Sequence, residues 1–204
     1  MEHLWTPWRH AYVTGQGRGS RKGVPEELSG WPPEQDMGCV FCNMIAAVRW
    51  AAASGMRLEE AERAALVLEQ GRDCFICLNR YPYSTGHLMI VPYLHADSLV
   101  KLSEAATAEM MSAARRMELV IREVYSPDGL NFGINLGEAA GAGVAEHLHL
   151  HELPRWKGDT NFMTVTAETR VIPEVLTVTW ERLRIMITNA QLMADEKHLI
   201  SEIE

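Results

Sequence analysis

The sequence predicts an α+β fold with a largely antiparallel sheet, and three observations carry that prediction. Short apolar runs at 65–71 (ALVLEQG), 74–80 (CFICLNR) and 87–95 (HLMIVPYLH) are bounded by glycine and turn residues, as adjacent strands are. The stretch 98–125 is rich in Ala, Met, Leu, Glu and Arg and holds neither Gly nor Pro, which marks a long helix. Two more strand-like runs follow it, so the order is strands, helix, strands and a last helix rather than a regular βαβ alternation.

Each element has its own local reason. Residues 14–38 (TGQGRGSRKGVPEELSGWPPEQDMG) are rich in Gly, Ser, Pro and charge and read as a flexible or loosely packed segment. The segment 43–53 (NMIAAVRWAAA) favours helix. RYPYSTGH is a loop. The long helix takes Ser98 or Asp97 as its cap and stops at Pro127-Asp128-Gly129. LNFGINLG (130–137) reads as a strand, GEAAGAGVAE (137–146) as a small-residue loop, and HLHLHELPR (147–155) as another strand. Residues 173–201 read as helix. Met110, Met111 and Met117 have helical spacing and read as core. No internal repeat is evident.

Composition narrows the function classes. A chain of 204 residues suits one domain with extensions. Its net charge of -8 argues against bulk attraction to nucleic acid or anionic membranes, so the charge of a phosphorylated ligand would have to be met locally. No apolar run reaches a membrane span, and MEHLWTPWRH lacks the apolar core of a signal peptide, so a cytoplasmic location is expected. In that setting the four cysteines, Cys39/Cys42 and Cys74/Cys77, read poorly as a disulfide framework.

The most informative feature is His147-Leu148-His149-Leu150-His151. On a strand, alternate side chains share a face, about 7 Å apart, so the imidazoles line one face and the leucines enter the core. Three readings fit: a metal site, a nucleophilic imidazole with orienting neighbours, and a surface strand with chance histidines. The glycines of the preceding loop, which let backbone amides approach an anion, favour phosphate chemistry.

The run HLHLH, followed by Leu153, resembles the signature of the histidine-triad (HIT) superfamily. LNRYPYSTGHLMIVPYLH resembles that family's nucleoside-binding region. PRWKGDTNFM and the opening LWTPWR resemble the branch containing bacterial diadenosine tetraphosphate phosphorylases. The resemblance covers roughly residues 39–165. It implies a HIT-like domain there, with an antiparallel sheet of about five strands and one long helix. Residues 1–38 then form a partly flexible N-terminal extension, and 166–204 a helical extension packed on the same domain.

The resemblance also implies roles. His149 becomes the nucleophile that forms a nucleotidyl-imidazole intermediate. His151 binds phosphate oxygens, and His147 orients its neighbours or serves a metal. Asn79 binds ribose, while Asn135 and the amides from Gly141 through Gly143 to Val144 hold phosphates. The implied reaction is cleavage of dinucleoside polyphosphates, diadenosine tetraphosphate first, with transfer to phosphate slightly preferred over water. Phosphoramidase activity and a non-catalytic nucleotide-binding module are the alternatives. A homodimer or larger homo-oligomer is implied as well.

Two positions depart from the family pattern. Gly143 stands where many relatives carry Gln, which removes side-chain help to the leaving group. Glu152 stands where the family has an aliphatic residue, on the core side with Leu148 and Leu150. A buried carboxylate there needs a partner, or a place at a rim or subunit interface.

The cysteine pairs are not equivalent. Cys39-Val-Phe-Cys42 sits between a glycine-containing loop and a helix, a setting for a metal knuckle. Cys74 and Cys77 lie three apart in a strand, face opposite sides and read as buried apolar residues. By resemblance, His95 and His147 complete a structural zinc site with Cys39 and Cys42; the alternative is an empty, buried thiol pair. His87 reads as a satisfied structural histidine. His3, His10 and His198 read as solvated or locally packed. Arg155 and Trp156 suit contact with phosphate or base as well as ordinary packing, and Asp159 and Asn161 suit a turn.

Overall fold

The computed structural model describes residues 22–159 and 174–201, with side chains described as far as residue 190. The opening LWTPWR, His3, His10 and residues 160–163 with Asn161 lie outside the described residues, as does the side chain of His198. The element order is α1 (Val40–Ala53), α2 (Leu58–Ala65), β1 (Val67–Gln70), β2 (Cys74–Leu78), β3 (Leu88–Pro92), α3 (Glu104–Tyr125), β4 (Gly129–Ile134), β5 (Leu150–Arg155) and α4 (Leu176–Ser201). The five strands form one antiparallel sheet in the order β1-β2-β3-β5-β4, as expected.

Both faces of the sheet are covered, which is why β2 and β3 are buried along their whole length. On one face, Phe75, Cys77, Met89 and Val91 pack with α1 and α2. On the other, Ile76, Leu78, Leu88, Ile90 and Leu150 pack with α3 and α4. Strand alternation therefore puts Cys77 on the α1 side and Cys74 on the α3 side, as their spacing requires. Met110 and Met117 are core, whereas Met111 is 47% exposed. Helix α4 is docked by Trp180, whose indole N–H donates to the Val67 carbonyl at 2.7 Å, and by Arg184, which reaches the buried Glu62 at 2.9 Å. No helix among the described residues is long and apolar enough to cross a membrane.

Several boundaries differ from the sequence reading. Helix α1 starts at Val40, so Cys39 is its N-cap and Cys42 lies in its first turn. Helix α2 was not expected: its eight residues, LEEAERAA, present Ala61 and Ala65 to the core, and alanines give a weak apolar signal. The long helix begins at Glu104 rather than near residue 98, because a 3-10 turn at Leu99–Lys101 precedes it and the Ser103 hydroxyl, not Ser98 or Asp97, accepts from the Ala106 amide. The segment from Lys22 to Gly38 is not loosely packed throughout: Leu28 and Trp31 are buried against α1.

The largest difference concerns the histidine run. Ladder pairing of β5 with β3 begins at Ile90↔Leu150, so His147 and His149 precede the strand. Their backbone is held instead by the Leu148 N–H, which donates to the Ala96 carbonyl at 2.6 Å. This contact ties the histidine run to the segment that carries His95.

Candidate active site and metal cluster

The three histidines converge although only His151 belongs to a strand. All are buried, at 1%, 4% and 9% exposure for His147, His149 and His151. The His149 and His151 rings meet edge to face with centroids 4.7 Å apart, and Phe41 of α1 packs on both His147 and His149. Burial lowers the pKa of His149 and, together with the nearby His95 and His149, holds that of His147 down to about 4, so both rings are neutral.

Hydrogen bonds assign the tautomers, because backbone groups have fixed roles as donor or acceptor. The His149 Nδ1–H donates to the carbonyl of His147 at 2.8 Å, which leaves the Nε2 lone pair free of its proton. The His147 Nε2–H donates to the Pro92 carbonyl at 2.9 Å, which leaves its Nδ1 as a lone pair. The Tyr83 amide donates to His87 Nδ1 at 3.1 Å, so the His87 proton sits on Nε2 and is donated to His151 Nδ1 at 3.0 Å. His151 therefore carries its own proton on Nε2. His149 and His151 are neighbours of opposite character, one a lone pair and the other a donor.

His87 thus does more than satisfy itself. It is 1% exposed and bonded through both ring nitrogens, as a structural histidine is, but one of those bonds orients His151. Gly86 makes this placement possible. Its φ of +77° suits glycine, and a Cβ there would lie 3.0 Å from Tyr125 Cε2 and 3.2 Å from Pro154 Cγ. Sequence reading took His87 as a satisfied structural histidine and missed its bond to His151; the available signal was a histidine entering a strand directly after a glycine.

The remaining candidates are placed as follows. Asn79 is engaged in the loop that precedes His87: its Oδ1 accepts from the Tyr81 amide at 2.9 Å and its Nδ2 lies 3.4 Å from His87 Nδ1. Asn135 directly follows β4, whose ladder with β5 ends at Ile134↔Leu150, one residue short of His149. In the glycine loop, the Gly141 amide donates to Glu138 and the Ala142 amide to Gly137, so Gly141 is used within the turn rather than presented to a ligand. Gly143 is exposed, and Val144 packs partly against the core cluster that contains Cys39, Phe41 and Cys42. Arg155 is paired with Asp159 at 2.5 Å and reaches Asn131 at 2.6 Å, and Trp156 meets Tyr125 edge to face. Asp159 closes the expected turn through its amide and the Trp156 carbonyl.

Cys39, Cys42, His95 and His147 form a compact cluster whose potential ligand atoms lie within 4.8 Å of one another. His147 Nδ1 is 3.3 Å from Cys39 Sγ, 3.5 Å from Cys42 Sγ and 3.2 Å from His95 Nδ1, and Cys42 Sγ is 3.4 Å from His95 Nδ1. A tetrahedral ion with metal–nitrogen and metal–sulfur bonds of about 2.0 and 2.3 Å sets N–N and S–N edges of about 3.3 and 3.5 Å, which these spacings match. The outer contact fits too: a metal-binding imidazole usually donates its other N–H to a carbonyl, as His147 does to Pro92. Burial and the adjacent Cys39 push the Cys42 thiol up to about 12, so a Cys42 thiolate here requires a cation beside it. Cys74 and Cys77, pushed up to about 12 mainly by burial, stand apart from the cluster.

Glu152 is 2% exposed on the α3 face, beside Leu88 and Phe132 in the ladder, and its Oε2 has no hydrogen-bond partner. Among the described residues that oxygen lacks the partner such a position calls for.

Known proteins resemble this chain in sequence and in fold. The HIT domain family model matches residues 60–158. A protein of Mycobacterium tuberculosis named AP-4-A phosphorylase is 36% identical over 176 residues, which is 86% of this chain and 79% of that protein. Among solved structures, a hypothetical histidine triad nucleotide-binding protein from Sulfolobus tokodaii has a TM-score of 0.55 at 25% identity, covering 74% of this chain and 93% of that one. A Zn-bound histidine triad family protein from Mycobacterium smegmatis has a TM-score of 0.54 at 25% identity, covering 78% and 98%. With its converging histidines, this antiparallel sheet and a relative similar across most of both chains, the protein belongs to the histidine-triad (HIT) family.

Proposed function

We infer that this protein is a nucleotidyl transferase or hydrolase that cleaves dinucleoside polyphosphates, with diadenosine tetraphosphate as leading substrate. The observation that carries the reading is the complementary pair at the centre of the site: His149 with its Nε2 lone pair, His151 with its Nε2 proton, rings 4.7 Å apart. His149 attacks the α-phosphorus, the bond to the bridging oxygen breaks, and ATP leaves. The nucleotide then rests on the imidazole until phosphate or water displaces it. His151 donates to phosphate oxygens as charge develops on them. Asn135 and the backbone of Gly143 and Val144 line the phosphate path.

Phosphate is the preferred acceptor, supported by the name of the Mycobacterium tuberculosis relative. The test is the product pattern from diadenosine tetraphosphate with and without inorganic phosphate. ADP plus ATP in phosphate is expected; AMP plus ATP in both conditions moves the reading to hydrolysis. No turnover beside active cleavage of a nucleoside phosphoramidate overturns it in favour of a phosphoramidase.

His87 offers a second check. His87→Phe keeps bulk but removes the proton given to His151, and kcat is expected to fall about 100-fold. Unchanged kcat in a folded variant removes the role assigned to the His87–His151 bond.

Zinc is the ion proposed for Cys39, Cys42, His95 and His147; when bound it supplies a fixed tetrahedral anchor between α1 and the histidine run, and metal analysis of the purified protein tests it. A cytoplasmic homodimer completes the reading. Support for the dimer comes from β4, an edge strand in the sheet, with Phe132 on it and Leu136 just beyond it about half exposed, and sedimentation tests it.

A further inference from the structure

We propose that Cys39, Cys42 and His95 are positioning residues for His149, acting through His147, which belongs to the cysteine–histidine cluster and to the triad at once. The proposal rests on the reading of His149 as nucleophile and says what holds it ready.

His149 keeps its Nε2 lone pair because its Nδ1–H is committed to one acceptor, the carbonyl of His147. That carbonyl has no strand to hold it. The β3–β5 ladder starts at Leu150, and the β4–β5 ladder ends at the same residue. Residue 147 is anchored by the Leu148 amide on Ala96 and by its own ring. The ring is gripped at both nitrogens: Nε2–H by the Pro92 carbonyl, and Nδ1 by the cluster, 3.2 to 3.5 Å from three ligand atoms. Two of those atoms come from the start of α1 and one from the segment after β3, so the ring joins three parts of the chain. A ligated Nδ1 fixes the direction of the ring, and with it the backbone carbonyl one residue-length away that sets the His149 tautomer.

The other half of the site is independent. His151 is oriented by His87, which is held by the amide of Tyr83, and none of these three is a member of the cluster. Disturbing the cluster should therefore act on His149 and spare His151. A general loss of structure would affect both.

The experiment compares zinc-loaded protein with the same protein after chelation, using imidazole N–H resonances. The His149 Nδ1–H signal is expected in slow exchange with zinc, lost on chelation and restored by zinc alone, while the His87 Nε2–H signal persists throughout. Kinetically, His95→Ala is expected to lower kcat about 10- to 100-fold with KM within about threefold, and His95→Cys, which returns a fourth ligand, to restore it. The proposal is overturned if the His149 signal survives zinc removal, if both signals vanish together, or if the protein binds no zinc. Should His95→Ala fail to fold, chelation of the wild type decides alone. The resonance test needs no activity, so it stands apart from failure of the functional reading, which would show as full turnover in a His149 variant.

Discussion

His149→Ala is expected to reduce turnover of diadenosine tetraphosphate by about 10⁴-fold or more while the protein stays folded and still binds nucleotide. The imidazole is small, buried and joined to the rest of the site by one described hydrogen bond, to the His147 carbonyl, so its loss leaves the sheet and the glycine loop in place. The alanine does leave a cavity beside Phe41, which packs on the ring. That costs about 1–3 kcal/mol of stability, less than would unfold a typical domain. The decisive measurement is paired: steady-state turnover, and acid-quenched single turnover to trap the phosphorus–nitrogen adduct. Wild type should yield a labelled nucleotidyl-protein and the alanine variant none. A variant that retains turnover assigns the nucleophile elsewhere.

Glu152→Gln should flatten a pH dependence of stability that the wild type shows. In the unfolded chain Glu152 ionises near 4.5; in the folded protein burial first, and the Glu118 carboxylate second, push it up to about 8. Among the described residues no cation pairs with it. Leu88 and Phe132 flank it in the ladder, Glu118 faces it from α3, and Arg122 is paired with Glu118 at 2.9 Å. The folded state therefore binds more protons than the unfolded state between these values. Stability is fully present below about pH 4.5 and is lost as pH rises to about 8. The loss is on the order of 3–4 kcal/mol. Urea unfolding from pH 5 to 9 checks it. The glutamine variant should match the wild type near pH 5 and exceed it near pH 9, and parallel curves for the two proteins would refute the account.

How much of this was legible beforehand varies residue by residue. The sheet, the long helix and the opposed faces of Cys74 and Cys77 follow from period and propensity, which are local. Helix α2 did not show, because Ala61 and Ala65 mark its buried face too weakly. The histidines of HLHLH do converge, but for a less regular reason than alternation along a strand. His147 and His149 converge with His151 through the Ala96 contact rather than through a strand ladder. The assembly of Cys39 and Cys42 with His95 and His147 was readable only by resemblance, since more than 100 residues separate Cys39 from His147. His87 was read for its burial and not for its neighbour.

By itself, then, the sequence determined which groups are available: three alternating histidines, a cysteine pair at a helix start, a glycine loop and an acid in a core position. Residue type and local spacing suffice for that, because they set backbone period and chemical inventory. Only the tertiary structure decided what each group is. Which ring nitrogen holds the proton depends on the Tyr83 amide and on the carbonyls of Pro92 and His147, and the state of Glu152 depends on α3 closing over it with Glu118 instead of a cation. Hydrogen bonding and burial are properties of neighbours, and apart from the His147 carbonyl beside His149 and the Tyr83 amide beside His87, those neighbours come from distant parts of the chain.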